Sequence, residues 1–207
     1  MPTPDRELRS FCTAIAAGDE PLVSSLLAAS PELAGASFSD GASRQAAKTN
    51  YLASIGRYLW KGDTALHIAA AAYQAGIVRT LIAAHAGVRA RNRLGDEPLH
   101  SAAVGQPGSP RWNPAAQVET IACLIQAGAD PNALNKTGVS PLHRAIRTRC
   151  AAAVETLLEY GADRALPNKS GSTPLLLATL NTGRGGSGSP EARLQQQQIV
   201  RLLERRR

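Results

Sequence analysis

Cys150 directly follows Arg149, and His143 lies seven residues upstream. A neighbouring cation lowers a thiol's pKa, and an imidazole within reach could act as its base, which is the pairing nucleophilic cysteine chemistry needs. A single cysteine near cations is far more often passive. A second arrangement is the run Gly183-Arg184-Gly185-Gly186-Ser187-Gly188-Ser189, which has the composition of a phosphate cradle. It lacks the Lys-Ser/Thr ending of a P-loop, and helical sequence rather than a strand precedes it. A dinucleotide fingerprint would likewise need a strand–turn–helix unit. The chain holds no HExxH, no GxSxG with a partner set and no close carboxylate pair in an obvious pocket. Cys12, Cys123 and Cys150 form neither a paired framework nor a CxxC spacing. No metal site or cofactor is therefore expected, and binding without enzymatic activity leads over a catalytic alternative.

The elements that would carry these residues are helical. The chain has 207 residues and only 4% aromatics, and Ala and Leu dominate its apolar content. That mix favours close-packed helices over strands. Every apolar run is broken within a few turns by Arg, Glu, Gln or Gly, so no membrane span is expected. The N-terminus "MPTPDRELRS" lacks an apolar signal region. Together with the cysteine pattern, this points to a reducing, cytoplasmic setting. The net charge of +7 weakly favours an acidic partner, since an Arg bias can also come from genome composition.

Four segments repeat: "GDTALHIAA" from Gly62, "GDEPLHSAA" from Gly95, "GVSPLHRAI" from Gly138 and "GSTPLLLAT" from Gly171. His67 and His100 are 33 residues apart, His100 and His143 are 43 apart, and His143 and Leu176 are again 33 apart. Three of the segments are followed by a second signature, as in "IACLIQAGADPN" from Ile121 and "AVETLLEYGADR" from Ala153. The chain closes on "IVRLLERRR", a shortened form of it.

This pattern resembles the ankyrin repeat, with its 33-residue period and T-P-L-H-x-A signature. The resemblance implies an all-α solenoid of about five stacked helix–turn–helix units with finger loops, forming a single domain. Residues 1–35 form an atypical capping repeat, 36–61 an inserted finger segment, and 62–94 the second repeat. Residues 95–137 form the third repeat with an insertion at 105–114, 138–170 the fourth, and 171–207 a capping repeat with an insertion at 181–193. Pro98, Pro141 and Pro174 suit the first helical position, and Gly128 and Gly161 suit helix ends. His67, His100 and His143 fall at the signature position and are expected to hold turns together, with Glu97 favouring the charged form of His100. Cys12 aligns with the signature histidine and Cys123 lies on an inner stripe, so both are expected in the core. His85 replaces the helix-ending glycine at a local cost.

Three insertions depart from the plain repeat. From Ala42 to Leu59 the apolar residues Ala46, Leu52, Ile55 and Leu59 have helical spacing, with Tyr51, Tyr58 and Trp60 among or beside them. Two outcomes are open: an extra helix covering the open end of the stack, or an aromatic wall beside the concave face. The other two insertions fall at the turn between the helices of repeats 3 and 5, and both contain Gly-Ser-Pro. Ser109-Pro110 and Ser189-Pro190 suit a helix start, and Asn113-Pro114 is an alternative in the first case. If the two loops fold over repeat 4, Arg111, Arg147, Arg149 and Arg184 could converge with Ser109 and Ser189 as a small-anion or metabolite site.

Ankyrin repeats are in the main binding modules, so the resemblance implies a protein partner held by the fingers and concave face. The residues carried over are Trp60, Lys61, Asp63, Arg91, Arg93, Asp96, Lys136, Arg144, Arg147 and Lys169, with Leu94, Thr137, Val139, Ser170 and Ser172 beside them. A cation recurs in every finger, which favours an acidic partner surface. Nucleic acid is disfavoured, because the fingers lack interleaved aromatics.

Overall fold

A computed structural model describes residues 4–43, 47–180 and 190–205. Helices α1 (Pro4–Ala17), α3 (Ala65–Ala71), α5 (Pro98–Ala102), α7 (Pro141–Arg147) and α9 (Pro174–Thr179) are the first helices of five units. Helices α2 (Glu20–Ala29), α4 (Ala75–Ala83), α6 (Pro114–Gln126), α8 (Ala151–Glu159) and α10 (Pro190–Glu204) are the second. Each first helix packs on the next first helix, and each second helix on the next second helix, giving two helical layers. None of the described helices is long and apolar enough to cross a membrane.

Local chemistry sets the helix starts. Thr64, Glu97 and Ser140 each close a capping box in which the histidine three residues on accepts from the cap's own backbone N–H. Pro98, Pro141 and Pro174 occupy first-turn positions where a missing N–H costs nothing. The first helices α3 and α5 are almost wholly buried, as with Leu66, Ile68, Ala69 and Ala70, whereas the terminal-repeat helix α9 exposes Leu175 and Leu176. Short side chains let the layers approach closely. The second helices contribute Ile77, Val78 and Leu81, then Ile121 and Leu124, then Val154 and Leu157, to one continuous core. No unit could bury these stripes alone, so stacking supplies the core.

The fingers are tied by a polar ladder. Asn92 Nδ2 donates to Asp63 Oδ1 at 2.9 Å, and Asn135 Nδ2 donates to Asp96 Oδ1 at 2.7 Å. His67 Nε2 meets Asp96 O at 2.9 Å and His100 Nε2 meets Val139 O at 3.0 Å. In each ring Nδ1 accepts a backbone N–H, which leaves the proton on Nε2 to be donated to the next finger. Gly138 sits at φ +72°, and an added Cβ would stand 2.6 Å from Lys169 N of the next finger. Gly171 has nearly the same φ, +76°, with nothing within 4 Å.

The inserted finger differs from the helix considered above. Residues 48–50 form one 3₁₀ turn, after which β1 (Tyr51–Leu52) pairs antiparallel with β2 (Arg57–Tyr58), Tyr51 opposite Tyr58. Aromatic side chains favour the pleated ladder, and Gly56 at φ +63° permits the tight reversal. Ala46, part of the helical spacing, lies outside the described residues. The hairpin is anchored on both sides: Leu59 N donates to Asn50 O at 2.7 Å and Ala42 N to Leu59 O at 2.8 Å. Arg9 Nη2 reaches Asn50 Oδ1 at 2.8 Å from α1.

The loop 105–113 ends at an Asn113 cap with Pro114 following, so the Ser109-Pro110 start is corrected. Asn113 Oδ1 accepts from Ala116 N at 3.1 Å, whereas among the described contacts Ser109 Oγ accepts from the nearby Arg111 N. Ser189-Pro190 cannot be judged the same way, because Ser189 lies outside the described residues.

Candidate functional site

The hairpin and the repeat 3 loop meet beside the ends of the first helices. Arg111 Nη1 donates to Ala53 O at 2.8 Å across 58 residues of sequence. Beneath that bridge is a cavity of about 460 Å³. One wall comes from the inserted finger, where Tyr58 and Trp60 stand with ring centroids 6.0 Å apart and Tyr51 stacks on Tyr58 at 4.9 Å from outside the lining. Arg93 stacks on Trp60 at 4.4 Å and fixes the end of that row. The opposite wall is the repeat 3 loop with Val104 and Trp112, and the floor is formed by the ends of first helices, including Tyr73 and Ser101.

Polar groups in this cavity are positioned by carboxylates behind them. Arg57 Nη2 bonds both oxygens of buried Asp63 at 3.2 Å, and Arg144 Nη2 bonds Asp96 Oδ2 at 2.7 Å. Burial alone would raise the Asp96 carboxyl, but Arg144 and the Asn135 hydrogen bond outweigh it and hold the pKa below the usual carboxylate value. Asp96 is therefore a firm anion. Arg57 Nε and Arg144 Nε are buried without a partner. Trp112 Nε1 donates to Gln117 Oε1 at 2.8 Å, and Gln117 Nε2 donates to Ala102 O at 2.8 Å, which holds the loop against the helices.

A second cavity, of about 160 Å³, lies between repeats 4 and 5. Ile146, Leu177, Leu180 and Ile199 give it apolar walls, and Arg147, Arg149 and Gln196 are its polar lining. Gln196 Nε2 donates to Ala178 O at 2.8 Å, the counterpart of the Gln117 contact one insert-bearing repeat earlier.

The residues expected to bind divide sharply. Trp60 and Arg144 line the large cavity. Lys61, Arg91, Arg93, Lys136, Arg147 and Lys169 are exposed, as are Leu94, Thr137 and Ser170, and Ser172 is half-buried. Arg91 is paired with Glu97 at 3.0 Å, and Lys136 Nζ donates to Arg93 O at 2.9 Å. Val139 is buried, and so are Asp63 and Asp96, although Asp96 also lines the large cavity; the two carboxylates hold the finger ladder. Their burial follows from the ladder, since each faces the asparagine of the next finger.

The single convergent anion site is also corrected. Arg111 and Ser109 line the large cavity and Arg147 and Arg149 the small one. Arg184 and Ser189 lie outside the described residues. The repeat 3 loop does reach over repeat 4: Gly105 N donates to Thr148 Oγ1 at 3.3 Å, and a Cβ at Gly108 would stand 3.3 Å from Glu191 Oε2.

The thiol and imidazole readings change too. Burial pushes the Cys150 thiol up to about 11, against smaller opposing hydrogen bonds, so Arg149 does not activate it. His143 is committed to Ser140 and Ser172 rather than to Cys150. Cys123 is half-buried rather than core, while Cys12 is fully buried. Burial holds His100 below its usual value despite Asp96 and Glu97, so its neutral form is the favoured one. Among the described residues no group of three or more His, Cys, Asp or Glu could hold a metal ion.

Arg57, Tyr73, Trp112 and Gln117 went unrecognised in the sequence. Trp112 carried a signal: it is the one aromatic in a loop of Gly, Pro and Ser.

Known proteins agree with this architecture. Ankyrin repeat models match residues 61–93, 94–136 and 124–178. Ankyrin repeat and SOCS box protein 16 of Mus musculus is 36% identical over 114 residues, covering 54% of this chain and 24% of that protein. B-cell lymphoma 3 protein of Homo sapiens is 33% identical over 120 residues, covering 58% of this chain and 25% of that protein. Neurogenic locus notch homolog protein 1 of Danio rerio is 28% identical over 140 residues, covering 56% of this chain and 6% of its own length. The chain thus spans a quarter or less of these relatives.

Proposed function

This chain belongs to the ankyrin repeat family, and we propose on that premise that its concave side captures a segment of another protein. The observation that carries the proposal is the Arg111–Ala53 bridge, which joins the two walls of a half-open cavity of about 460 Å³. A cavity of that size suits one or two side chains or a short turn. Its aromatic wall favours an apolar or aromatic anchor. Exposed Lys61, Arg93, Lys136 and Lys169 continue from its mouth along the fingers and favour acidic residues flanking that anchor. The cysteines are free, which suits a reducing compartment such as the cytoplasm.

The test is selection of binders from a random peptide library. Enrichment of peptides with an aromatic or large apolar residue beside Asp or Glu is expected. Changing Lys61, Arg93, Lys136 and Lys169 together to Glu should abolish their binding, and Arg111→Ala should weaken it. Peptides without acidic bias, or binding that survives the fourfold change, would refute the assignment.

A further inference from the structure

Gly18, Tyr73 and Arg149 occupy the same place in repeats 1, 2 and 4, the residue before the second helix's N-cap. All three have left-handed backbone, at φ +75°, +57° and +58°. Glycine adopts that conformation freely, whereas a side chain there costs roughly 1–3 kcal/mol and persists where the surroundings demand it. At Tyr73 the demand is visible: its hydroxyl donates to Val104 O of the next repeat. By the repeat register Leu180 is the counterpart of Val104, so Arg149 stands where a donor to the next repeat is expected.

Among the described residues Arg149 has no such acceptor. It is 3% exposed, yet its Nη1 and Nη2 are buried without a hydrogen-bond partner. A buried, permanently charged guanidinium with no counter-charge is strongly unfavourable, because the lost hydration is not replaced. It lines the 160 Å³ cavity, with Arg147 beside it and no carboxylate among the described lining residues. Roughly 30 Å³ per water leaves room for a small ion with part of its shell.

We propose that Arg149 is the receptor of a small oxyanion of the phosphate or carboxylate class, seated in the cavity between repeats 4 and 5. The planar guanidinium presents paired N–H donors that suit two oxygens of one such group. Arg147 supplies the second cation at the rim, and the apolar walls lower the local dielectric and strengthen the pairing. The site is separate from the cavity under the Arg111 bridge, so the two assignments stand or fall independently.

Isothermal titration and thermal melts with inorganic phosphate and with acetate test it, using chloride at matched ionic strength as reference. Saturable binding of at least one of the two is expected, with Tm raised by roughly 3–6 °C at about tenfold its Kd. Phosphate alone would assign a dianion and acetate alone a carboxylate. Arg149→Tyr, which places the repeat 2 side chain there, and Arg149→Gly should both abolish the binding and the shift. No saturable binding to the wild-type protein overturns the proposal, without recourse to any variant. Equal shifts in the wild type and a folded Arg149 variant overturn it too, since they report only general salt stabilisation.

Discussion

Replacing Gly138 and Gly171 by alanine, one at a time, separates the cost of backbone conformation from the cost of stacking. Both glycines have left-handed φ, +72° and +76°. An alanine in that region costs about 1–2 kcal/mol, partly offset by the stiffer unfolded chain at about 0.4–1 kcal/mol. Gly171→Ala stops there, because nothing lies within 4 Å of the new methyl, so a loss of about 1 kcal/mol is expected. In Gly138→Ala the methyl lands 2.6 Å from Lys169 N and 2.9 Å from Lys169 Cγ. A backbone atom cannot step aside alone. The fingers must part, which strains the Lys169 N to Thr137 O and His143 Nε2 to Ser172 O bonds, both 3.3 Å. Overpacking of that kind adds about 1–3 kcal/mol, for a total of about 2–4 kcal/mol. At roughly 2–4 °C per kcal/mol for a chain of this size, Gly138→Ala should melt several degrees below Gly171→Ala. Urea unfolding followed by circular dichroism measures the difference directly. Equal destabilisation of the two variants would refute the view that finger stacking, rather than φ alone, selects glycine here.

His67, His100 and His143 are all held below the ordinary histidine value near 6.5, chiefly by burial. The unfolded chain therefore binds protons first, so stability is full above about pH 6.5 and falls as pH drops, by at most about 1.4 kcal/mol per unit per histidine; equal urea midpoints at about pH 7.5 and about pH 5 would contradict this. Gln117→Leu should cost about 1–3 kcal/mol by leaving Ala102 O and Trp112 Nε1 unpaired, and a red-shifted Trp112 emission in a Trp60→Phe background would report the loosened loop. In the native protein at neutral pH, iodoacetamide should label half-buried Cys123 ahead of Cys12 and Cys150, and mass spectrometry showing Cys150 first would contradict its buried, protonated state.

The stack was legible because its period, Gly-opened turns and signature histidines each reflect a local rule: a left-handed turn, a capped helix and an apolar stripe. The hairpin was not legible in the same way. Ala46, Leu52, Ile55 and Leu59 fit a helix, but the outcome turned on pairings between Tyr51 and Tyr58 and between Ala42 and Leu59 that no local spacing encodes. The cavities needed still longer reach. Arg111 looked like a neighbour of repeat 4 because both belong to loops on one edge, yet its guanidinium length carries it back to Ala53. Asp63 and Asp96 lie in exposed fingers by register, and they are buried by partners distant in sequence, the asparagine of the following finger on both and Arg144 on Asp96. Arg149 was singled out for its charge, whereas its backbone conformation shows only against Gly18 and Tyr73.

The Arg111–Ala53 bond skips a repeat. In a stack whose units touch only their neighbours, unfolding can start at an end and peel inward one interface at a time. This bond, with Arg9 to Asn50 behind it, joins repeat 1, the inserted finger and repeat 3 by contacts 58 and 41 residues apart in sequence. Such long-range closures slow assembly and bind the joined parts into one cooperative block. The first three repeats should consequently exchange their amide hydrogens together, while repeats 4 and 5, which no described hydrogen bond ties across an intervening repeat, open as a separate and earlier unit.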